Sequence, residues 1–146
     1  MFASAKPRAL VFGHSFVSRK FIDNGQSNGL YLRDLQLVYM CEVEIFGTGG
    51  RTVDTTIGFD LDAIRSSAPD VVALEMGSND ACEHDSDAET IASSLVALTE
   101  LLISECQLQF IVVCQILPRK HPPFEEYNYR VRQINALVSE ALLHIK

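Results

Sequence analysis

Three residues of the sequence have the chemical types and the chain order that acyl-transfer chemistry requires. Ser15 carries a hydroxyl that can act as a nucleophile, and Gly13 shortly before it permits a sharp turn. Gly50 can bring its backbone N–H close to a substrate, and Asn79 can offer a side-chain NH₂ group. Such donors stabilise the oxyanion that forms when a hydroxyl attacks a carbonyl carbon. Together these residues predict the hydrolysis of an ester or another acyl group.

Each of these residues also has an ordinary structural use when it is taken alone. Ser15 suits a helix N-cap, and Asn79 with Asp80 suits an Asx turn. The glycine-rich segment 47–50 suits a loop or a phosphate-binding turn, although the sequence has neither GxGxxG nor GxxxxGK followed by Ser or Thr. A catalytic role is favoured over these structural uses because Ser15, the segment 47–50 and Asn79 each follow a different short apolar run.

Four short apolar runs alternate with helical patterns and predict a parallel sheet. The runs are rich in β-branched and aromatic residues and occupy 9–12, 43–46, 71–76 and 110–114. Such runs are typical of strands that are buried on both faces. The alternation predicts a parallel sheet with helices on both of its faces. The order of the polar blocks, one after each strand, favours a three-layer α/β/α, flavodoxin-like fold of strand order 2-1-3-4. Polar residues that follow the strands should then meet outside the carboxyl ends of the strands.

Capping residues and apolar residues at helical spacing mark the helices. Residues 86–89 form a capping box before an apolar stripe over 91–102. A second stripe runs over 131–145, and a shorter helix is predicted over 60–67. The glycines within 16–40 predict one helix before them and another after them.

The residues that follow the first three strands resemble the sequence blocks of the SGNH, or GDSL-type, hydrolases. Residues 11–15, Val-Phe-Gly-His-Ser, resemble the first block, with His14 where the family usually has Asp. Residues 47–52 are similar to the second block, and 71–80 are similar to the third, which ends in Gly-x-Asn-Asp. The likeness keeps the order and spacing of the blocks over about 8–145.

This resemblance implies a serine esterase that uses neither a cofactor nor a metal. Ser15 would be the nucleophile, with Gly50 and Asn79 as oxyanion-hole residues, and the substrate would be a small ester or acyl compound. The amino-acid sequences of 13–17 and 114–119 also resemble those of SGNH-type domains in animal transposable-element reading frames.

The family's fourth block, Asp-x-x-His, has no counterpart in the sequence. In the family this block lies between a fifth strand and a last helix and supplies the catalytic Asp and His, so this chain is expected to be weakly active or inactive. The expectation is a single SGNH hydrolase-like domain over 1–146, and the residues leave open whether the domain is truncated at Lys146 or ends there naturally. The missing fifth strand would leave an open sheet edge, where pairing with another chain is expected.

Other residues are candidates for the missing base or for substrate binding. His14 is the neighbour of the nucleophile, His84 follows the third block, and His121 lies in the proline-rich loop after the fourth strand. Each is also explained by local hydrogen bonding or by solvent exposure. Arg51 and Arg119 follow strands at the same edge and could hold an anionic substrate group, or they could be solvated arginines.

Composition excludes several classes of protein. The 146 residues suit one domain, and 12 Lys+Arg against 19 Asp+Glu give a net charge of −7. This balance argues against nucleic-acid binding and against docking on an anionic membrane, since both depend on cationic side chains. No signal peptide or spanning segment is recognised, and the four cysteines form no CxxC pair, which predicts free thiols and a cytoplasmic or intracellular protein.

Three functions remain open from the residues. The first is an SGNH-type ester hydrolase, and the second is a catalytically dead interaction domain with the same fold. The third is a flavodoxin-like domain that binds a nucleotide through the loop 47–50.

Overall fold

A four-stranded parallel sheet lies at the centre of the protein. The computed structural model describes residues 5–15, 17, 22–23, 26–27 and 36–145. The strands of the sheet are β1 (Arg8–Gly13), β4 (Glu42–Gly47), β5 (Val71–Glu75) and β6 (Phe110–Val113). Their order is β4-β1-β5-β6, and every neighbouring pair is parallel. The predicted order 2-1-3-4 is confirmed.

The connection between the first two strands of this sheet agrees with the prediction in part, since Ser15 and Val17 are helical before the glycines and a helical turn follows them. Its described part contains a small antiparallel pair, β2 (Ile22–Asp23) and β3 (Gln26–Ser27), which the sequence patterns did not indicate. A single helical turn, α1 (Leu37–Met40), precedes β4. The rest of the region in which helices were predicted lies outside the described residues.

Three of the remaining helices follow the predicted positions closely, and one short helix, over 53–55, was not predicted. The four are α2 (Val53–Thr55), α3 (Leu61–Ser67), α4 (Ala88–Cys106) and α5 (Tyr127–Leu142). A π-helical segment (Thr56–Asp60) joins α2 to α3, and a 3₁₀ turn (Asp80–Cys82) follows β5. The capping prediction was wrong by one residue. Asp87 is the N-cap of α4, because its carboxylate accepts the N–H of Thr90 at 2.7 Å.

The core forms where α3, α4 and α5 cover one face of the sheet. On this face Leu10 and Phe12 of β1 and Val72 and Leu74 of β5 are buried in one apolar cluster. The helices contribute further buried residues to the cluster: Ile64, Ile91, Leu95, Leu98, Leu102, Val131, Ile134 and Val138. These include most of the residues predicted from the helical stripes.

The strands are less completely buried than their apolar runs predict. In the edge strand β6, Phe110 is 69% exposed and Val112 is 54% exposed. Among the described strands β6 pairs only with β5, so pairing at its outer edge stays a prediction. All four cysteines are free thiols. Within the described ranges, no helix has the length and apolarity needed to cross a bilayer.

Candidate active site

The three predicted site residues follow three neighbouring strands and lie at the carboxyl edge of the sheet. Ser15 follows β1, Gly50 follows β4 and Asn79 follows β5. A Cβ placed on Gly49 would lie 4.0 Å from the Cβ of Ser15, so the glycine loop is next to the serine. The Asn79 side-chain N–H donates to the carbonyl of Arg51 at 2.8 Å, which joins the third loop to the second.

The glycine loop is attached to the end of β1 and turns sharply at Gly50. The N–H of Thr48 donates to the carbonyl of Gly13 at 3.2 Å. Gly50 has a φ of +75°, a conformation that favours glycine. A Cβ at Gly50 would meet no atom within 4 Å, so the backbone conformation, and not a lack of space, explains this glycine.

Gly13 has a packing role and not the turn role suggested by the sequence. A Cβ at this position would lie 2.6 Å from the carbonyl oxygen of Glu75 and 2.6 Å from a methyl group of Val17. Only glycine therefore allows β1 to lie this close to β5 two residues before Ser15.

Arg51 holds the glycine loop from the inside of the protein. Its guanidinium forms a bidentate pair with Asp60, with N–O distances of 2.9 and 3.0 Å. It also donates to the carbonyls of Gly13 and Phe46, at 2.6 and 3.1 Å, and lies 4.3 Å over the ring of Phe12. The residue is only 8% exposed. These contacts make Arg51 a structural anchor and leave little of its guanidinium for an anionic substrate.

Arg119 is also engaged in internal contacts. Its Nη2 donates to the Ser78 hydroxyl at 2.8 Å, and its guanidinium lies 4.9 Å over the ring of Tyr127. The Tyr127 hydroxyl is 3.1 Å from the same Ser78 oxygen. The side-chain amide of Asn128 bonds both the N–H and the carbonyl of Arg119, each at 2.8 Å. This network attaches the loop after β6 to the loop that carries Asn79.

The two distant candidate histidines are on the surface. His84 is exposed, and its ring packs on Phe124 with centroids 4.7 Å apart. His121 is exposed in the proline-rich loop. The described residues contain no group of three or more His, Cys, Asp or Glu side chains that could hold a metal ion.

His14 is the candidate base that contacts the serine. Its Nδ1 is 3.5 Å from Ser15 Oγ, and its Nε2 is 2.8 Å from Glu75 Oε1. Glu75 was not among the predicted site residues. Its signal in the sequence was a single carboxylate within the otherwise apolar run 71–76. The register of the sheet pairs Gly13 with Glu75, which places this carboxylate beside the end of β1.

Asp80 is a second carboxylate near this edge, and its environment is unusual. One oxygen accepts the N–H of Val53 at 3.0 Å, whereas Oδ2 is buried without a hydrogen-bond partner among the described residues. Burial raises the pKa of Asp80, and the nearby Glu83 and Asp54 carboxylates act in the same direction. The hydrogen bond from Val53 opposes the shift only in part.

Asp80→Asn is expected to stabilise the protein at neutral pH and to have little effect in acid. Because the folded state raises the pKa, folding favours the protonated carboxyl, and stability is lost as the pH rises through that pKa. Asparagine keeps an acceptor for the Val53 N–H and cannot ionise. Thermal melts from about pH 3 to about pH 8 should show a gain in Tm that grows with pH. The exposed Asp85→Asn is the control, and a lower Tm of Asp80→Asn at neutral pH would contradict the argument.

Three solved structures of similar architecture are named as two acetylxylan esterases and a GDSL-like lipase. An acetylxylan esterase from Geobacillus stearothermophilus matches with a TM-score of 0.73 at 13% identity, over 98% of this chain and 74% of that chain. The acetyl xylan esterase AlAXEase matches with a TM-score of 0.64 at 21% identity, over 92% of this chain and 74% of that one. A protein from Parabacteroides merdae, named a GDSL-like lipase, matches with a TM-score of 0.69 at 15% identity, over 94% and 73% of the two chains.

These likenesses define the fold of the chain. It is the α/β fold of the SGNH, or GDSL-type, esterases, as the sequence blocks predicted. No family model matches the sequence, and no curated protein matches it either. The likeness to transposable-element domains stays a prediction.

Proposed function

We propose that this protein is an ester hydrolase in which Ser15 is the nucleophile and Gly50 and Asn79 stabilise the oxyanion. The observation that carries the proposal is the set of contacts that joins the three loops. Gly49 is next to Ser15, and the Asn79 amide is bonded to the carbonyl that follows Gly50. Acyl transfer requires a hydroxyl and oxyanion donors around one reacting carbon, and this arrangement is suited to it.

Gly50 and Asn79 can each donate a hydrogen bond to the oxyanion. An amide NH₂ has two hydrogens, and Asn79 uses one for the Arg51 carbonyl, which fixes the direction of the other. Gly50 is exposed, and it has no side chain of its own that would cover its N–H. The Asn79 donor is held in place before substrate binds, which is what makes such groups effective in catalysis.

The proposed substrates are esters with a small acyl group, acetyl above all. Two of the similar structures described above are named as acetylxylan esterases and one as a lipase. The exposed position of Gly50 favours an open site that accepts the ester group of a larger molecule.

Two other functions stay open as outcomes of the test. A catalytically dead interaction domain would keep the fold and have an unreactive Ser15. A nucleotide-binding domain would use the loop 47–50, but the cationic residue that follows this loop, Arg51, is already paired with Asp60. Only the hydrolase requires an activated serine.

A fluorophosphonate probe tests the proposal, because it labels only activated serines. We expect one adduct per chain, which peptide mass spectrometry locates on Ser15, and no adduct after heat denaturation. Ser93→Ala, which changes an exposed serine of α4, is the matched control and should be labelled like the wild type. A folded protein without label would favour the interaction domain, and a copurified nucleotide detected by mass would favour the third function.

A further inference from the structure

The side chains of Ser15, His14 and Glu75 form a continuous chain of contacts at the end of β1. The hydroxyl is 3.5 Å from His14 Nδ1, and the opposite ring nitrogen is 2.8 Å from the Glu75 carboxylate. The order is therefore hydroxyl, imidazole, carboxylate. This is the order of groups by which a serine is activated in hydrolases.

The Glu75 carboxylate decides which nitrogen of His14 carries the proton in the neutral ring. A carboxylate only accepts, so it favours the tautomer with hydrogen on Nε2. Nδ1 then keeps its lone pair, and this lone pair faces the Ser15 hydroxyl. The contact between Nε2 and Glu75 Oε1 is 2.8 Å long but is not aligned as a hydrogen bond in the structure. The ring therefore has to turn before its Nε2–H points at the carboxylate.

Burial strengthens the electrostatic interaction between the His14 and Glu75 side chains. The His14 side chain is 7% exposed and that of Glu75 is 19% exposed, so solvent screens their interaction little. Glu75 ends the central strand β5, opposite Gly13 in the register, and is not a mobile surface residue. A buried carboxylate at this position also stabilises the imidazolium that forms when the ring takes a proton.

We propose that His14 is the general base of Ser15 and that Glu75 is the positioning residue that orients it. The inference rests on the hydrolase function proposed above. As Oγ attacks the ester carbonyl, its proton passes to Nδ1, an Oγ–C bond forms, and the carbonyl electron pair becomes the oxyanion.

The reaction proceeds in two halves, acylation and then deacylation of Ser15, and Nδ1 carries the proton in each. The tetrahedral intermediate expels the alkoxide, which takes the proton from Nδ1 and leaves as the alcohol. Water then gives a proton to Nδ1 and attacks the acyl carbon. Collapse of the second intermediate returns the proton to Ser15 Oγ and releases the acid.

The 3.5 Å distance between Oγ and Nδ1 is long for a hydrogen bond and suits a resting enzyme. Catalytic hydrogen bonds in ligand-free structures are often long and shorten in the complex with substrate. The two residues are adjacent in the chain, and a rotation of the Ser15 side chain is enough to change this distance. Activity therefore needs no other histidine of the sequence to approach the serine.

The test compares His14→Gln and Glu75→Gln with His144→Gln, which makes the same change at an exposed position near the end of α5. Two quantities are measured for the full chain: the rate constant of fluorophosphonate labelling at Ser15, and kcat and KM for p-nitrophenyl acetate. We expect His14→Gln to lower the labelling rate and kcat by about a hundredfold or more. Glu75→Gln should lower kcat by about tenfold with KM unchanged, and His144→Gln should match the wild type.

The outcomes separate this inference from the function on which it rests. Labelling at Ser15 that stays within about threefold of wild type in either folded variant overturns the assignment of His14 and Glu75 and leaves the hydrolase intact. Wild-type protein with no labelling at Ser15 overturns both proposals. Far-UV circular dichroism reports folding, and if His14→Gln does not fold, the kcat and KM of Glu75→Gln decide the test.

Discussion

Replacement of Ser15 by alanine is expected to reduce the turnover of p-nitrophenyl acetate to the background rate, a loss of about a thousandfold or more. This expectation rests on the contact of Ser15 with His14, because the missing Asp-x-x-His block by itself predicts a weakly active or inactive chain. Alanine removes the Oγ that attacks the ester, and the donors at Gly50 and Asn79 stabilise an oxyanion only after an attack has occurred. The substitution deletes one half-buried oxygen, so the fold should be unaffected. Initial rates with purified protein, with melting curves for both forms, measure the effect.

Ser93→Ala is again the control for this prediction. It removes the same atom from an exposed position on α4 and should leave the rate unchanged. Equal rates for wild type and Ser15→Ala would mean that the hydrolysis does not depend on this serine. That result would favour the interaction domain, which the absence of an Asp-x-x-His block also allows.

Arg51→Met is expected to lower the free energy of unfolding by about 3–5 kcal/mol. The substitution leaves the Asp60 carboxylate without its bidentate partner and leaves two carbonyls, those of Gly13 and Phe46, without the donor. Methionine occupies similar space over the Phe12 ring, so the loss reports polar interactions more than packing. Urea unfolding gives the change in free energy directly.

Arg65→Met is the matched control, since Arg65 also pairs with two carboxylates but on the surface. Its contacts with Asp62 and Glu105 are 2.9 and 2.6 Å long, and its side chain is 41% exposed. Exposed pairs of this kind contribute about 0–1 kcal/mol. If both variants unfolded at the same urea concentration, Arg51 would not be the anchor of the glycine loop.

The fold was predictable because its signals are local. Each strand of the sheet is a short apolar run, and α4 and α5 carry regular apolar stripes, so burial and element type could be inferred within one segment. The order of the sheet followed from the resemblance of the blocks. The cap of α4 and the antiparallel pair β2 and β3 depend on single hydrogen bonds that a pattern does not specify.

The candidate site was predictable only in part. Ser15, Gly50 and Asn79 were identified because each follows a strand, and parallel strands deliver the residues after them to one edge. Glu75 was missed because a carboxylate within an apolar run has no local signature of a site. The direction of the Arg51 side chain was also open, since a basic residue in a glycine-rich loop is usually solvated.

The sequence by itself determined the order of the elements, the sheet edge at which polar residues gather and the three residues proposed for acyl transfer. Only the tertiary structure decided that His14 lies between Ser15 and Glu75, and that Arg51 points inward to Asp60. The reason is physical. Both arrangements depend on the register of β1 against its neighbours and on packing between residues distant in the chain, which no local pattern of residue types records.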